Sequence, residues 1–480
     1  MKTVFAKSVP GRTGVLPPSP EQSVSDMLPA DLLRRKRPAL PELSELDVVR
    51  HYSLLSHRNF SVDTNFYPLG SCTMKYNPKF CETASALPGF AHTHPLLPQI
   101  EGGEPFAAGC LKAVWECERL LREVTGMHAF TMQPMAGAQG ELTGILLIAA
   151  YHRAKGNKKT KVICPDSAHG TNPATAALAG YEVVNIASQN GMIDPDALAA
   201  VLDDSVAALM MTCPNTLGLF EAHLPLIVEK LRAADALLYY DGANFNAIMG
   251  RMRTGDAGFD VVHLNLHKTM GTPHGGGGPG AGPVGVAERL APFLPGPRVV
   301  KNSDGSFGLN HDLPHSIGKI APFYGNFAIV IRALAYMLRL GGNGLARATS
   351  YAVLNANYMR ARLRDHLEIP YDRACMHEFV ASASALDTYG VHALDLAKAL
   401  LDKGFHAPTI YFPLIVKECL MFEPTETESK ETLDAFCDEL IAIVERAKKN
   451  PREILDAPLT LPVRRLDETR AARNMVLTEA

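Results

Sequence analysis

A lysine delivered by an apolar run constrains this chain more than any other feature. Val261-Val262-His263-Leu264-Asn265-Leu266 reads as a buried strand, and His267-Lys268-Thr269 follow it directly, just before a glycine-rich stretch. Lysine is seldom fully buried, and removal from water favours the neutral, nucleophilic amine. An amine of that kind forms Schiff bases with carbonyl compounds. Taken alone, Lys268 also reads as a lysine leaving a strand end for solvent. The motifs around it decide between the two.

Those motifs sit in a chain of 480 residues, 47% hydrophobic, with net charge -3. That length accommodates two or more domains with full cores. Near-neutral charge gives no reason to expect nucleic acid or an anionic membrane as a partner. The basic run Arg34-Arg35-Lys36-Arg37 is short and runs into a proline. No apolar stretch is long enough to span a bilayer; Arg332 interrupts the best candidate, 327–334. The N-terminus lacks a signal-type apolar region. Nine scattered cysteines contain no C-x-x-C pair, which argues against zinc and for reduced thiols in a cytoplasmic protein.

Organisation changes along the chain. Residues 1–104 read as an N-terminal arm, poor in sustained period to about residue 60, and an active-site loop region with a turn-dense stretch at 65–78 of the kind that serves a site. Residues 105–330 alternate helical and apolar strand patterns. Helices are expected at 105–125 and 139–155, and strands at 161–165, 182–186, 206–212, 237–241 and 261–266. Valine- and leucine-rich strands alternating with helices imply a mostly parallel sheet covered on both faces, with ligands in the crevice beyond its strand ends. Residues 331–480 read as a smaller α+β domain and tail. A helix at 327–341 leads into it and stops at Gly341-Gly342. Further helices are expected at 345–366, 392–403 and 426–449, with strands near 377–381 and 409–413.

Four features fall on the expected ligand rim. Gly137-Ala138-Gln139 open a helix, where free backbone N–H groups and the dipole suit a phosphate. His169, in a loop after a strand, can stack on a planar ring or move a proton. Asp241 ends an apolar strand, needs a cationic partner, and suits a pyridinium nitrogen; small Ala243 lies beside it. Lys268 comes from the next strand. Each alone has an ordinary structural reading: a capped turn, a loop histidine, a turn aspartate. Together they make a pyridoxal-phosphate site in the order of the aminotransferase-like fold class. The run from Gly275 to Pro283 lacks both nucleotide-loop spacings, and reads either as a mobile cover over the site or as a tight turn.

The segments Y-P-L-G-S-C-T-M-K-Y-N-P (67–78), Q-P-M-A-G-A-Q-G-E (133–141), D-S-A-H-G-T-N-P-A-T-A (166–176), Y-Y-D-G-A-N-F-N-A-I (239–248) and H-L-N-L-H-K-T (263–269) resemble the P-protein family of the glycine cleavage system. These are pyridoxal-phosphate-dependent glycine dehydrogenases (aminomethyl-transferring). The likeness runs from about residue 60 to 462. It is to the lysine-bearing C-terminal half of the family, the separate subunit 2 of bacterial and archaeal systems. The resemblance implies the aminotransferase-like fold type I, and decarboxylation of glycine with transfer of the aminomethyl group to the lipoyl arm of H-protein. It also implies a homologous subunit 1 in an α2β2 assembly. By the same resemblance Lys268 carries the cofactor, His169 stacks on its ring and Asp241 pairs with the ring nitrogen. Ala243 lies at the other face, Gly137, Ala138 and Gln139 hold the phosphate with help from His267, and Thr216 contacts the phenolic oxygen or the substrate. Met135 stands where an asparagine is common. Arg373 and His377 are the candidates for binding the glycine carboxylate. No metal is expected. Another enzyme of the same fold, a lyase or desulfurase, is the alternative; a desulfurase would need a reactive cysteine in the loop after Lys268, where there is none. A non-catalytic scaffold subunit should lack Lys268.

Overall fold

A computed structural model describes all residues except 17, 20, 37, 276–279 and 478–480. The chain divides into two compact units, Met1–Thr64 and Asn65–Ala480. Within the first, Ser44 and Asp47 form a capping box that starts the helix Glu45–Ser56. The sequence reads as irregular here because the helix has no apolar stripe: Val49, Tyr52 and Leu54 are all exposed.

The second unit is built on a seven-stranded sheet. Its spatial order is Ala129–Thr131, Val284–Val286, Val261–Leu264, Leu237–Gly242, Val206–Thr212, Lys161–Pro165, Glu182–Ile186. The last five pair in parallel, and Val284–Val286 runs against both its neighbours. All seven residues of Val206–Thr212 are buried. A strand covered on both faces needs no alternation, which is why this one reads as a continuous apolar run. The two strands of this sheet that escaped the sequence reading are three residues each, too short to carry a period. One is also interrupted by Gly285. That glycine pairs with Phe130, and a Cβ there would lie 2.4 Å from the Phe130 ring.

Helices pack against this sheet. Glu104–Thr125 ends at Gly126, whose left-handed φ of 75° lets its N–H donate back to the Arg122 carbonyl. Gly137–Ala154 carries the small residues 137–140 at its N-terminus. The long helix Phe327–Leu363 is broken at Gly341 (φ 60°, ψ 177°), so the expected stop at 341 is a kink between two helical pieces. Its first part packs into the core that also holds Leu209, Leu238 and Tyr240, and its second part, from Ala356, into a separate core with Phe379, Phe422 and Phe436.

That second core sits under an antiparallel sheet, Phe379–Ser382, Cys419–Phe422 and Thr409–Ile410, with the helices Ala393–Asp402 and Lys430–Lys449. The expected helix at 426–449 starts later, at Lys430, because Ser429 caps it by accepting the Thr432 N–H. The expected strand 409–413 ends at Ile410, where Tyr411 turns left-handed (φ 59°). The segment before residue 78 joins this part. Leu69 bridges to Phe422, and Gly70 lies so close to Met421 that a Cβ would meet its Cγ at 2.2 Å. Among the described residues no helix is long and apolar enough to cross a membrane.

Candidate active site

The expected strand 261–266 is shorter than its apolar run. It ends at Leu264, Asn265 breaks the ladder, and a one-turn helix Leu266–Thr269 carries Lys268. Lys268 is half-buried, and its Nζ donates to the Ser71 carbonyl at 2.7 Å. The neighbouring strand ends in Asp241, paired in register with His263. Asp241 thus ends one strand and Lys268 follows the end of the strand paired with it, close enough for the lysine charge to act on the carboxyl.

Asp241 is almost fully buried. Burial pushes its carboxyl up, but His263, the Ala243 N–H and the Asn172 amide together hold it below its ordinary value. Asn172 Nδ2 donates to Oδ2 and Ala243 N to Oδ1, each at 2.9 Å. His263 stands 3.4 Å away, and burial keeps its imidazole neutral. Its Nδ1 contacts the Tyr239 hydroxyl at 2.6 Å and its Nε2 the Asn265 Oδ1 at 2.9 Å. Tyr239 therefore donates to Nδ1, and the ring proton lies on Nε2. Asp241 is an ionised carboxylate with no lysine or arginine in ion-pair reach among the described residues. A buried anion in that position awaits a cation.

His169 is partly buried and neutral for the same reason, burial. Its Nδ1 accepts the Thr171 N–H at 3.3 Å and lies 2.8 Å from the Thr171 hydroxyl, which also touches Glu141 Oε1 at 2.7 Å. Burial, with the charge of Asp241, pushes the Glu141 carboxyl up to about 8. At neutral pH Glu141 holds its proton while Asp241 has lost its own, so one negative charge is kept at one place. With Nδ1 accepting, His169 presents Nε2–H outward.

The helix N-terminus at Gly137 has no side-chain cap; Ala136 precedes it in extended conformation. Gln139 turns its side chain back, accepting from Met135 N at 2.7 Å and donating to the Ile320 carbonyl at 3.1 Å, so that only its backbone N–H faces outward with those of Gly137 and Ala138. The cradle is tight. A Cβ on Gly282 would sit 2.1 Å from the Ala136 oxygen, and one on Gly137 2.5 Å from Asn265 Nδ2. Asn265 also reaches His267 Nε2 at 3.4 Å, joining the cradle to the lysine turn. Burial pushes His267 down to about 3, so it is a neutral hydrogen-bonding group. Thr216 is buried and its hydroxyl donates to the Ser167 carbonyl at 2.8 Å, tying two strand-end loops together. Asn215 is taken up by its own turn, accepting from Leu217 and Leu219.

These features fit pyridoxal phosphate. An uncapped helix start suits the phosphate, an ionised Asp241 without a lysine or arginine partner among the described residues suits the ring nitrogen, and an amine held by the Ser71 carbonyl suits the aldehyde. The candidates for a substrate carboxylate fare differently. Arg373 is exposed and donates to the Asn190 carbonyl, and His377 is buried, neutral and wedged near Glu378 and Glu423. Residues 276–279 of the glycine-rich run, read from sequence as a cover or a turn, lie outside the described residues.

Several participants were not singled out from sequence. Asn172, His263 and Asn265 stand inside the recognised motifs, and His263 is a polar residue in an otherwise apolar strand, a legible signal. Lys75 is another: buried, it donates to Glu426 at 2.7 Å, Asn246 at 3.0 Å and the Tyr336 hydroxyl at 3.3 Å.

Comparison with known proteins agrees with this picture. A family model described as glycine dehydrogenase, C-terminal domain, matches residues 348–458. A probable glycine dehydrogenase (decarboxylating) subunit 2 from Caldanaerobacter subterraneus subsp. tengcongensis is 55% identical over 479 residues, covering 99% of this chain and 98% of its own. One of the same description from Kosmotoga olearia is 56% identical over 477 residues, covering 98% of each. Among solved structures, an inhibitor-bound glycine decarboxylase (P-protein) of the glycine cleavage system superposes with TM-score 0.72 at 20% identity, over 88% of this chain and 95% of that one. A glutamate decarboxylase from Lactobacillus brevis gives 0.65 at 11% identity, over 88% and 97%. At such identities the structures speak to the fold alone, the aminotransferase-like fold type I.

Proposed function

The chain belongs to the glycine dehydrogenase (decarboxylating) subunit 2 family, and on that premise we propose that it is the cofactor-bearing half of a glycine-decarboxylating enzyme in which Lys268 carries pyridoxal phosphate. Glycine is the substrate and pyridoxal phosphate the cofactor. When bound, that cofactor supplies an electron sink for the pair left on the glycine Cα as the carboxylate departs as CO2. The protein's share is to hold charges and protons where they are needed. Asp241, ionised and buried, keeps the ring nitrogen positive, and this fixed charge is the main electrostatic contribution. Asn172, Ala243 and His263 aim it. Gly137, Ala138 and Gln139 offer backbone N–H groups to the phosphate, with His267 beside them. With the cofactor in place, His169 would stack on one face of its ring and Ala243 would line the other, and Thr216 would contact the phenolic oxygen or the substrate. Lys268 provides the amine and, when released from the cofactor, can take up or return a proton at Nζ. The observation that carries this reading is the convergence at adjacent strand ends of an unpaired ionised Asp241 and the Ser71-held amine of Lys268.

The aminomethyl group, on this proposal, passes to the lipoyl arm of an H-protein, in a cytoplasmic α2β2 assembly with a subunit 1. A companion subunit follows from the relatives' designation as subunit 2. Apolar exposure supports a large partner surface. Phe106, 78% exposed, adjoins in sequence Ala107 in the lining of an apolar cavity of about 580 Å³ that also includes Phe90 and Phe327, and Leu87, 50% exposed, lies in the chain between the lining residues Ser85 and Phe90. Residues 105–330 serve, in the same proposal, as the cofactor-binding part and 331–480 as the smaller C-terminal part. The test is exchange of labelled bicarbonate into glycine with lipoylated H-protein. Both subunits together should catalyse it, and Lys268→Ala should abolish it. Undiminished exchange in that variant refutes the reading.

A further inference from the structure

Beyond the cofactor contacts, the small part buries two acids that the reaction does not use. Glu378 and Glu423 are fully buried, and among the described residues neither pairs with a lysine or arginine. Their near neighbour is His377, also fully buried, which burial keeps neutral and whose two ring nitrogens have no hydrogen-bond partner among the described residues. Burial and mutual repulsion push Glu378 well above its ordinary value, and burial pushes Glu423 up to about 7. Groups this costly persist where they hold something in place.

What they hold is backbone. Glu378 Oε2 accepts the N–H of Ser71 at 2.7 Å, and Glu423 Oε2 accepts the N–H of Thr73 at 2.8 Å. Ser71 and Thr73 are both left-handed, with φ of 63° and 50°. A residue with a Cβ occupies that region at a cost, and keeps it only when its surroundings over-determine it. The two acids grip the two strained residues, one on each side of Cys72. The turn so formed points the Ser71 carbonyl at Lys268, which donates to it at 2.7 Å. Glu378 also fastens the turn to the sheet: its Oε1 accepts from Asn244 Nδ2 at 2.9 Å, and Asn244 follows Ala243, whose N–H is bound by Asp241.

We propose that Glu378 and Glu423 are positioning residues for the Lys268 amine: they lock the left-handed Ser71–Thr73 turn, so that the Ser71 carbonyl receives the amine whenever it is not covalently engaged and keeps it aimed at the cofactor. The inference rests on Lys268 being the cofactor-bearing lysine. It assigns the segment around residue 71 a direct purpose, as the resting place of the free amine.

The test uses the full chain produced with its companion subunit. Two quantities are read: the rate at which added pyridoxal phosphate becomes borohydride-trapped on the Lys268 peptide, and the pH midpoint of the visible absorbance band. Glu378→Ala should slow trapping at least about tenfold and move the midpoint by about one unit, the scale of a misaimed reacting group. Glu378→Gln, whose amide oxygen still accepts the Ser71 N–H, should stay within about threefold of wild type. Adding Ser71→Gly to Glu378→Ala should recover most of the rate, because glycine adopts the left-handed conformation without strain. If the alanine variant does not accumulate as folded protein, Glu378→Asp, which keeps the acid and shortens its reach, should show the same slowing. Wild-type rate and midpoint in the alanine or aspartate variant overturns the inference, as does a glutamine variant equally impaired, or a glycine substitution without benefit. A wild-type protein that is never trapped on Lys268 overturns instead the functional reading beneath it.

Discussion

Replacing Lys75 by methionine should destabilise the protein by about 3–5 kcal/mol, the range for removing one partner of a buried ion pair. Lys75 and Glu426 are 1% and 9% exposed at their side chains, with Nζ and Oε1 2.7 Å apart. Burial alone would push the ammonium's pKa down, but the Glu426 charge and the Tyr336 hydroxyl outweigh it, so the lysine stays charged. At an effective dielectric of about 20 the pair's attraction is about 6 kcal/mol, much of it offset by desolvation. Methionine fills nearly the same space and leaves the Glu426 carboxylate with the Asn246 amide at 3.1 Å and the more distant Tyr336 hydroxyl at 3.4 Å. The loss is therefore chiefly an uncompensated buried charge, not a cavity. The double variant Lys75→Met/Glu426→Leu removes that charge and should recover at least about half of the loss. Urea titration followed by circular dichroism measures all three proteins. A loss below about 1 kcal/mol in the single variant, or a double variant no better than the single, would refute the reasoning.

The proton on Glu141 makes stability depend on pH. Below its ordinary 4.5 the group is protonated in both states; as pH rises only the unfolded chain releases the proton, so the folded state loses stability up to the folded value of about 8. Glu141→Gln mimics the protonated form, so its melting temperature relative to wild type should climb between pH 5 and 8; a constant difference contradicts the assignment. Gly282→Ala places a methyl against the Ala136 carbonyl and should push the cradle aside, weakening pyridoxal phosphate binding by about tenfold in a spectrophotometric titration; unchanged affinity would show that the cradle tolerates the shift. Asp241→Asn should keep the fold, since the amide can still accept from Ala243 and Asn172 can reorient, yet lower glycine–bicarbonate exchange by about 100-fold or more. Exchange within about threefold of wild type would remove Asp241 from its role.

Fold class was legible because the central strands are uniformly apolar and the intervening helices periodic, which gives a parallel sheet and hence a rim where ligands bind. The chemistry-bearing residues were legible because Asp241 and Lys268 each interrupt apolar sequence at its end. What escaped has physical reasons. The edge strand Ala129–Thr131 and the reversed strand Val284–Val286 are too short for a period and are specified by Phe130 packing over Gly285. Residues 427–429 look helical in sequence, but Ser429 serves as the cap, and Glu426 before it is engaged by Lys75. Glu378 and Glu423 adjoin short apolar strands far from the cofactor motifs in sequence, and only the folded chain brings them to Ser71 and Thr73. Local pattern tells where a polar residue is out of place, but not what it will grip across the fold.

The most direct test of the account is borohydride reduction of the pyridoxal-phosphate-loaded protein followed by peptide mass mapping. A single stable pyridoxyl adduct, on Lys268, is expected. An adduct on another lysine, buried Lys75 included, or no adduct at all, would contradict it.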